Sequence, residues 1–324
     1  MQSRWDSTFS FIHLSSSGYA EPHLKLGWKN FFGTVFRMGE KDCMVFHAQS
    51  SLPYLLFGLL VKKIFFLKGR YVYDIHDYHE LSSKIKILSR DFFRYIVFFI
   101  FEYAVFKFKR IPKITVSDGL ATLIAERYSA KKPSVVKNIS LQDLKSAEYA
   151  SSSRSDSILY FGTRERVPLD AIPKLHNQGH CMDIYGRDID EAWLRNSIGE
   201  YDKEKIRIHG EYFPENLNFL QSYKMTIIFA PKDTSLNFKH SLPNKLFQSL
   251  AAGLVVLVSD NFEEMINLFS DVPNAVLPIN SNNICDVIEI AKNHSKVDDN
   301  SDLENKLKLI QSESKNLYVR TTRG

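Results

Sequence analysis

The sequence predicts an α/β protein of two doubly wound domains, each a parallel sheet flanked by helices. Three observations carry this. Short apolar strands alternate with longer helical patterns; the alternation pauses at a serine-rich stretch and then restarts; and three strands of the second half end in glycine. At 324 residues the chain has room for two domains of about 150 residues each. A composition of 44% hydrophobic and 24% charged residues excludes a largely disordered, collagenous or disulfide-stapled chain. Cys43, Cys181 and Cys285 lie more than a hundred residues apart, so they show neither metal-ligand spacing nor a disulfide pattern and read as reduced, packed thiols.

Taken in order, the chain opens on Trp5, Phe9 and Ile12, spaced as one helix face and ended by Ser16-Ser17-Gly18. A doubly wound domain normally starts with a strand feeding such a helix. None is present, so the first domain is expected to lack its first strand, or Met1 to lie past the true start. Cys43 to His47 is a strand-like run followed by a helical stretch from Pro53. Arg70 to Ile75 is a second, leading into His76-Asp77-Tyr78-His79-Glu80. A helical pattern covers about 84 to 109, Lys113 to Val116 reads as a third strand, and Ser117-Asp118 cap a helix through Tyr128. Ser134 to Asn138 reads as a fourth strand. Ser146 to Ser157 is the least hydrophobic stretch and reads as a linker dividing residues 1–150 from 151–324. Five further strands follow, near 157–162, 182–186, 206–210, 226–231 and 254–259, and Gly162, Gly186 and Gly210 end three of them. Ligands in such sheets bind beyond the carboxyl ends of the strands, so three glycines in register point to a phosphate or nucleotide cleft.

The formal charge of +5 hides an asymmetry. Residues 1–150 carry 22 basic and 13 acidic side chains, net +9, and residues 151–324 carry 20 and 24, net −4. In the basic half the cations sit among large apolar residues, as in Leu55 to Lys68 and Phe92 to Phe101. Neither stretch is uncharged over the roughly 20 residues that span a bilayer. The Met-Gln-Ser-Arg-Trp-Asp start has no apolar signal core, so the expected location is cytoplasmic. Basic, aromatic-rich helices suit the inner face of an anionic membrane; they equally suit the core of an α/β domain, and the two roles are compatible. Nucleic acid is not an expected partner, because the basic residues alternate with large aliphatics and no nucleic-acid motif is present.

The most informative window is Ser241-Leu242-Pro243-Asn244-Lys245-Leu246-Phe247-Gln248-Ser249-Leu250-Ala251-Ala252-Gly253. Ser241 reads as an N-cap, Pro243 as a first-turn residue, and Gly253 as the residue past the helix end. Leu242, Leu246, Phe247, Leu250 and Ala251 form one apolar side; Ser241, Asn244, Lys245 and Gln248 form a polar stripe. A helix buried on one face, presenting its positive end and an ammonium on the other, is a natural diphosphate site.

At these residues the sequence resembles the retaining family 4 glycosyltransferases of the GT-B fold, which build bacterial surface polysaccharides. The likeness runs from about residue 5 to 290. It rests on Leu242 to Gln248 with Ala251-Ala252-Gly253 and Ser259-Asp260, on Tyr73 to Glu80, on Val116-Ser117-Asp118 with Val136-Lys137-Asn138, and on Ile206 to Gly210. It implies two Rossmann-like domains facing across a cleft, the first for the acceptor and the membrane side, the second for a nucleotide-sugar donor. It implies transfer of the sugar with retention to a lipid-linked or saccharide acceptor.

Residue by residue, His240 and Gln248 stand where the family usually has two glutamates, near the sugar hydroxyls and on the ribose. Gln248 retains hydrogen-bonding capacity for a ribose hydroxyl. Lys245 is expected to neutralise the diphosphate, with Asn244 beside it and Arg164 and Arg166 assisting. Tyr212 and Phe213, after Gly210, are placed to flank the base. His76 is expected to line the donor sugar, with Asp77 and Glu80 toward the acceptor; His76, Asp77 and His240 make up the expected catalytic group. His180 and His209 read as structural. A helix terminus with lysine and arginine stabilises a leaving diphosphate without a metal, and no Asp-x-Asp stands at a strand end. His76-Asp77-Tyr78-His79 has metal-binding residue types, but the spacing is weak, so neither a metal nor another cofactor is expected. The absent first strand and the two replaced glutamates also fit a different reading, a catalytically impaired binding or partner subunit of a polysaccharide assembly system.

Overall fold

A computed structural model describes residues 31–47, 49–78, 89–139, 154–213, 216–230, 235–293 and 301–323. The chain divides into two compact units, Met1–Lys137 with Ser312–Gly324, and Asn138–Gln311. The division thus falls earlier than residue 150, and the last residues group with the first unit. The opening helix on Trp5, Phe9 and Ile12, and with it the expectation of a missing first strand, lies outside the described residues. So do His79, Glu80 and the expected linker up to residue 153; Ser155, at that linker's end, already begins a strand.

The first unit holds four parallel strands, β1 (Cys43–His47), β2 (Arg70–Ile75), β3 (Lys113–Thr115) and β4 (Ser134–Val135), paired in that order. Helices α1 (Leu52–Ile64), α2 (Arg90–Lys107) and α3 (Asp118–Tyr128) connect them. The two-residue period of β2 explains both faces. Tyr71, Tyr73 and Ile75 pack against Leu52, Leu55, Val105, Phe106, Leu120 and Ile124 of the three helices. Val72, with Ile114 and Val136, meets Leu317 and Tyr318 of the C-terminal helix. An apolar sheet face needs a cover, which is why the end of the chain belongs to this unit. Helix α2 begins at Arg90, where Ser89 is extended and its side chain accepts the Phe92 N–H at 3.2 Å; the expected stretch from 84 to 88 lies outside the described residues. Ser117 caps α3 in the same way, through the Leu120 N–H. Glu102 is buried on α2 and accepts the hydroxyls of Tyr73 at 2.9 Å and Tyr128 at 2.5 Å.

The second unit holds a six-stranded parallel sheet of β5 (Ser155–Phe161), β6 (Met182–Tyr185), β7 (Ile206–Gly210), β8 (Tyr223–Ile228), β9 (Val255–Ser259) and β10 (Val276–Ile279). The helices that follow in the chain are α4 (Ile172–Asn177), α5 (Glu191–Ile198), α6 (Leu236–Lys239), α7 (Asn244–Ala251), α8 (Glu263–Leu268), α9 (Ile284–Asn293) and α10 (Ser301–Arg323), the last of which runs on into the first unit. Strand β10 has no counterpart in the sequence reading. It is short and carries Pro278, which is tolerated at a sheet edge because one side of the strand makes no ladder bonds. The strand order is β10-β9-β8-β5-β6-β7. From β5 the chain builds outward to β6 and β7, then returns to the other side of β5 with β8. That reversal, between β5 and β8, is the switch point at which a crevice opens in a doubly wound sheet.

Candidate functional site

The site in the second unit starts from the three glycines. The Gly162 N–H donates to the Tyr185 carbonyl at 2.8 Å and the Gly186 N–H to the Gly210 carbonyl at 2.7 Å, so the ends of β5, β6 and β7 lie side by side. Gly186 has a steric reason to be glycine: a Cβ there would run into the Gly162 carbonyl oxygen and the tip of Ile189. Gly210 has φ +81°, the left-handed region that glycine adopts without strain.

Helix α7 supplies the cation. Its apolar side is as the sequence predicts: Leu242, Leu246, Phe247, Leu250 and Ala251 are all buried in one cluster. Its start differs. Asn244 is the first helical residue and Pro243 holds the N-cap position; Ser241 instead donates its hydroxyl to the Phe238 carbonyl at 3.1 Å. The helix ends in a Schellman pair, Leu254 N–H to the Ser249 carbonyl and Gly253 N–H to the Leu250 carbonyl, both at 3.0 Å, with Gly253 at φ +75°.

Lys245 reaches from the first turn of α7 to the end of β5. Its Nζ lies 5.5 Å from the Tyr160 ring centroid and 5.4 Å from that of Phe161, and it fills the space a Cβ on Gly162 would take. Arg166, on the turn after β5, stacks on Phe238 at 4.1 Å. Tyr160, Arg166, Phe238, Ser241, Pro243 and Lys245 line one cavity beside the switch point. Burial pushes the Lys245 ammonium down to about 7, and the neighbouring Arg166 charge adds to the shift. An anion entering here would pull that proton back on. Cations, two aromatic faces and a helix N-terminus are groups that could hold a multiply charged anion.

The other predicted donor residues are distributed around this core. Tyr212 packs on Phe161 at 5.6 Å and on Phe219 at 5.9 Å, and burial raises its hydroxyl pKa. Phe213 is exposed. Arg164 turns to Trp193, 4.9 Å from its ring, and does not line the cavity with Arg166. Asn244 and Gln248 are half-buried on α7, and His240 is half-buried at the end of α6. Tyr160 and Phe238 escaped the sequence reading, being apolar-looking residues of a strand and a short helix. His209 is structural: it pairs with buried Asp183 and stacks on Tyr185 at 4.4 Å, while Arg207 grips the same carboxylate at 2.8 and 2.6 Å.

At the strand ends of the first unit, His76 follows β2 directly and Asp77, exposed, comes next. Asp74 and His47 join His76. His47 is the register partner of Asp74 across β1 and β2, and the Asp74 Oδ2 lies 2.9 Å from His47 Nδ1 and 3.0 Å from His76 Nε2. Burial by itself would raise the Asp74 carboxyl, but the hydrogen bonds and charges of the two histidines bring it down to about 2. The sequence signal for His47 was its place at the end of a strand neighbouring the one that ends in His76.

No protein-family model and no curated protein matches the chain. Solved structures do. The crystal structure of TarM aligns over 92% of this chain and 58% of its own, with TM-score 0.60 and 10% identity. A point mutant of S. aureus TarM in complex with fondaparinux, alpha-GlcNAc-glycerol and UDP aligns over 91% and 56%, with TM-score 0.53 and 12% identity. AviGT4, a glycosyltransferase involved in avilamycin A biosynthesis, covers 77% of this chain and 74% of its own at TM-score 0.45 and 10% identity. The chain spans somewhat more than half the length of the TarM chains it matches. With two parallel α/β sheets, one reversing at a switch point, and a TarM-like course over nine-tenths of its length, the chain has the GT-B glycosyltransferase fold.

Proposed function

We propose that the protein is a glycosyltransferase that moves a sugar, with retention, from a nucleotide-sugar donor to a lipid-linked or saccharide acceptor. The observation that carries the reading is the Lys245 ammonium held against Gly162 at the switch point, with Arg166 lining the same cavity. Glycosyl transfer needs stabilisation of the departing diphosphate. Lys245, Arg166 and the α7 N-terminus supply it in place of a metal at the phosphates. Asn244 and Gln248 follow on the polar side of α7, Gln248 for a ribose hydroxyl; Arg164, Gly186 and Gly210 frame the strand ends, and Tyr212 takes the base. His240 serves the sugar, and His76 and Asp77 are the first unit's contribution to the sugar and acceptor. The TarM mutant that shares this fold was crystallised with UDP and saccharides, which supports a nucleotide donor and a saccharide-like acceptor.

The first unit also suits an anionic membrane on the cytoplasmic side. Among the described residues no helix is long and apolar enough to cross a membrane. Phe93, Val97 and Ile100 nevertheless form an exposed stripe on α2, and Leu60, Ile64, Phe65 and Phe66 are exposed at the end of α1, with Lys63, Arg94 and Lys107 among them. A turnover assay with UDP-, GDP-, dTDP- and CMP-sugars tests the central reading. Release of one nucleoside phosphate, dependent on a glycan or polyprenyl-linked acceptor, is expected. No turnover with any donor, together with no donor binding, sinks it in favour of a non-catalytic role.

A further inference from the structure

We infer that His47, Asp74 and His76 form a binding site for a divalent transition-metal ion of the zinc class, separate from the anion cavity of the second unit. The inference stands on the geometry of the first sheet and does not depend on the transferase reading. Parallel pairing places His47 opposite Asp74, on the same face as Cys43, Val45 and Val72, and His76 follows two residues after Asp74. The three donor atoms lie within 4.8 Å of one another. Both imidazoles point a ring nitrogen at one carboxylate oxygen, at 2.9 and 3.0 Å, and their ring centroids are 4.0 Å apart.

Ligand atoms about 2.1 Å from a shared tetrahedral ion stand about 3.4 Å apart, so each imidazole–carboxylate distance, now 2.9 and 3.0 Å, needs to open by only about half an ångström. His47 can supply that movement, since its side chain is 43% exposed, whereas Asp74 is 14% exposed and fixed in the sheet. Two imidazoles and a carboxylate favour Zn²⁺, Co²⁺, Ni²⁺ or Fe²⁺ over Mg²⁺ and Ca²⁺, which want oxygen ligands. Three protein ligands leave a coordination position open on the exposed side, the pattern of a site that accepts water or a substrate hydroxyl. A hydroxyl-bearing ligand would then meet His76 through the ion.

The test uses the full chain without a histidine tag, stripped with chelator and titrated with Co²⁺. One equivalent should give the visible absorption of four- or five-coordinate cobalt, displaced by one equivalent of Zn²⁺ and unaffected by excess Mg²⁺. His47→Ala removes an exposed side chain and leaves the sheet core intact; it should weaken Co²⁺ binding at least about a hundredfold, as should Asp74→Asn. An absent cobalt band, or a band of unchanged affinity in His47→Ala, overturns the site. Binding of a nucleoside diphosphate without its sugar, at Lys245, is read separately and is expected to be the same in both variants.

Discussion

The ends of the two sheets are built alike and carry opposite chemistry. At the β5 and β8 end, Lys245, seated against Gly162, and Arg166 bring two cations to one cavity. At the β1 and β2 end, His47 and His76 each direct a ring nitrogen at the carboxylate of Asp74. Parallel strands deliver adjacent residues to one edge in both cases. Glycine at the end of β5 lets Lys245, from a helix some eighty residues later in the chain, come close. Histidine and aspartate at the β1 and β2 end bring two imidazoles and a carboxylate together, the basis of the metal site proposed above. One architecture thus places cations at one sheet end and two imidazoles with a carboxylate at the other.

The largest expected effect separates the two ends directly. Lys245→Met should raise the donor KM or lower turnover about tenfold or more, since a charge-assisted contact contributes roughly 1.5–3 kcal/mol, and should leave cobalt binding at the first unit unchanged. Its Tm should not fall. A lysine with a folded pKa near 7 is less protonated in the folded than in the unfolded state between pH 7 and about 10.5, so the native ammonium opposes folding at neutral pH and its removal relieves that. Next in size is Gly186→Ala, whose methyl group meets the Gly162 carbonyl. Urea unfolding should show a loss of about 1–3 kcal/mol, and nucleotide affinity should fall with it.

Glu102→Ala leaves the buried Tyr73 and Tyr128 hydroxyls without their acceptor, at a cost of about 1–3 kcal/mol, and acts on the first unit alone. Equal loss of nucleotide affinity in this variant would break the comparison. A smaller effect comes from pH. The bound diphosphate favours protonated Lys245, so stabilisation by a nucleoside diphosphate should weaken as pH rises from 7 to 9, and Lys245→Met should flatten the profile. The smallest effect on stability is that of Val97→Ser with Ile100→Ser, within about 0.5 kcal/mol per site because both side chains are exposed. Co-sedimentation with anionic vesicles should nonetheless drop, and unchanged pelleting would remove α2 from the membrane argument.

Most of the strands and helix α7 were legible in the sequence because local rules decide them. Cys43–His47 and Arg70–Ile75 are compact β-branched and aromatic runs, and Ser117 and Gly253 sit where capping chemistry puts them. Strand β10 was not, because Pro278 masks a strand whose edge position only the tertiary fold reveals. The start of α7 shifted from Ser241 to Asn244 because a neighbouring carbonyl, that of Phe238, captures the serine hydroxyl. Lys245 could be named from its helix. The partners that set its chemistry, Tyr160, Gly162 and Arg166, come from a strand end some eighty residues earlier in the chain. His47 and Asp74 show the same principle, because strand register brings them together and no local motif does.

The most direct test of the account is isothermal titration of UDP, GDP, dTDP and CMP into the wild-type chain and Lys245→Met at pH 7. One nucleotide should bind the wild type and lose at least about tenfold in affinity in the variant. Binding of equal strength to both proteins, or to neither, would contradict it.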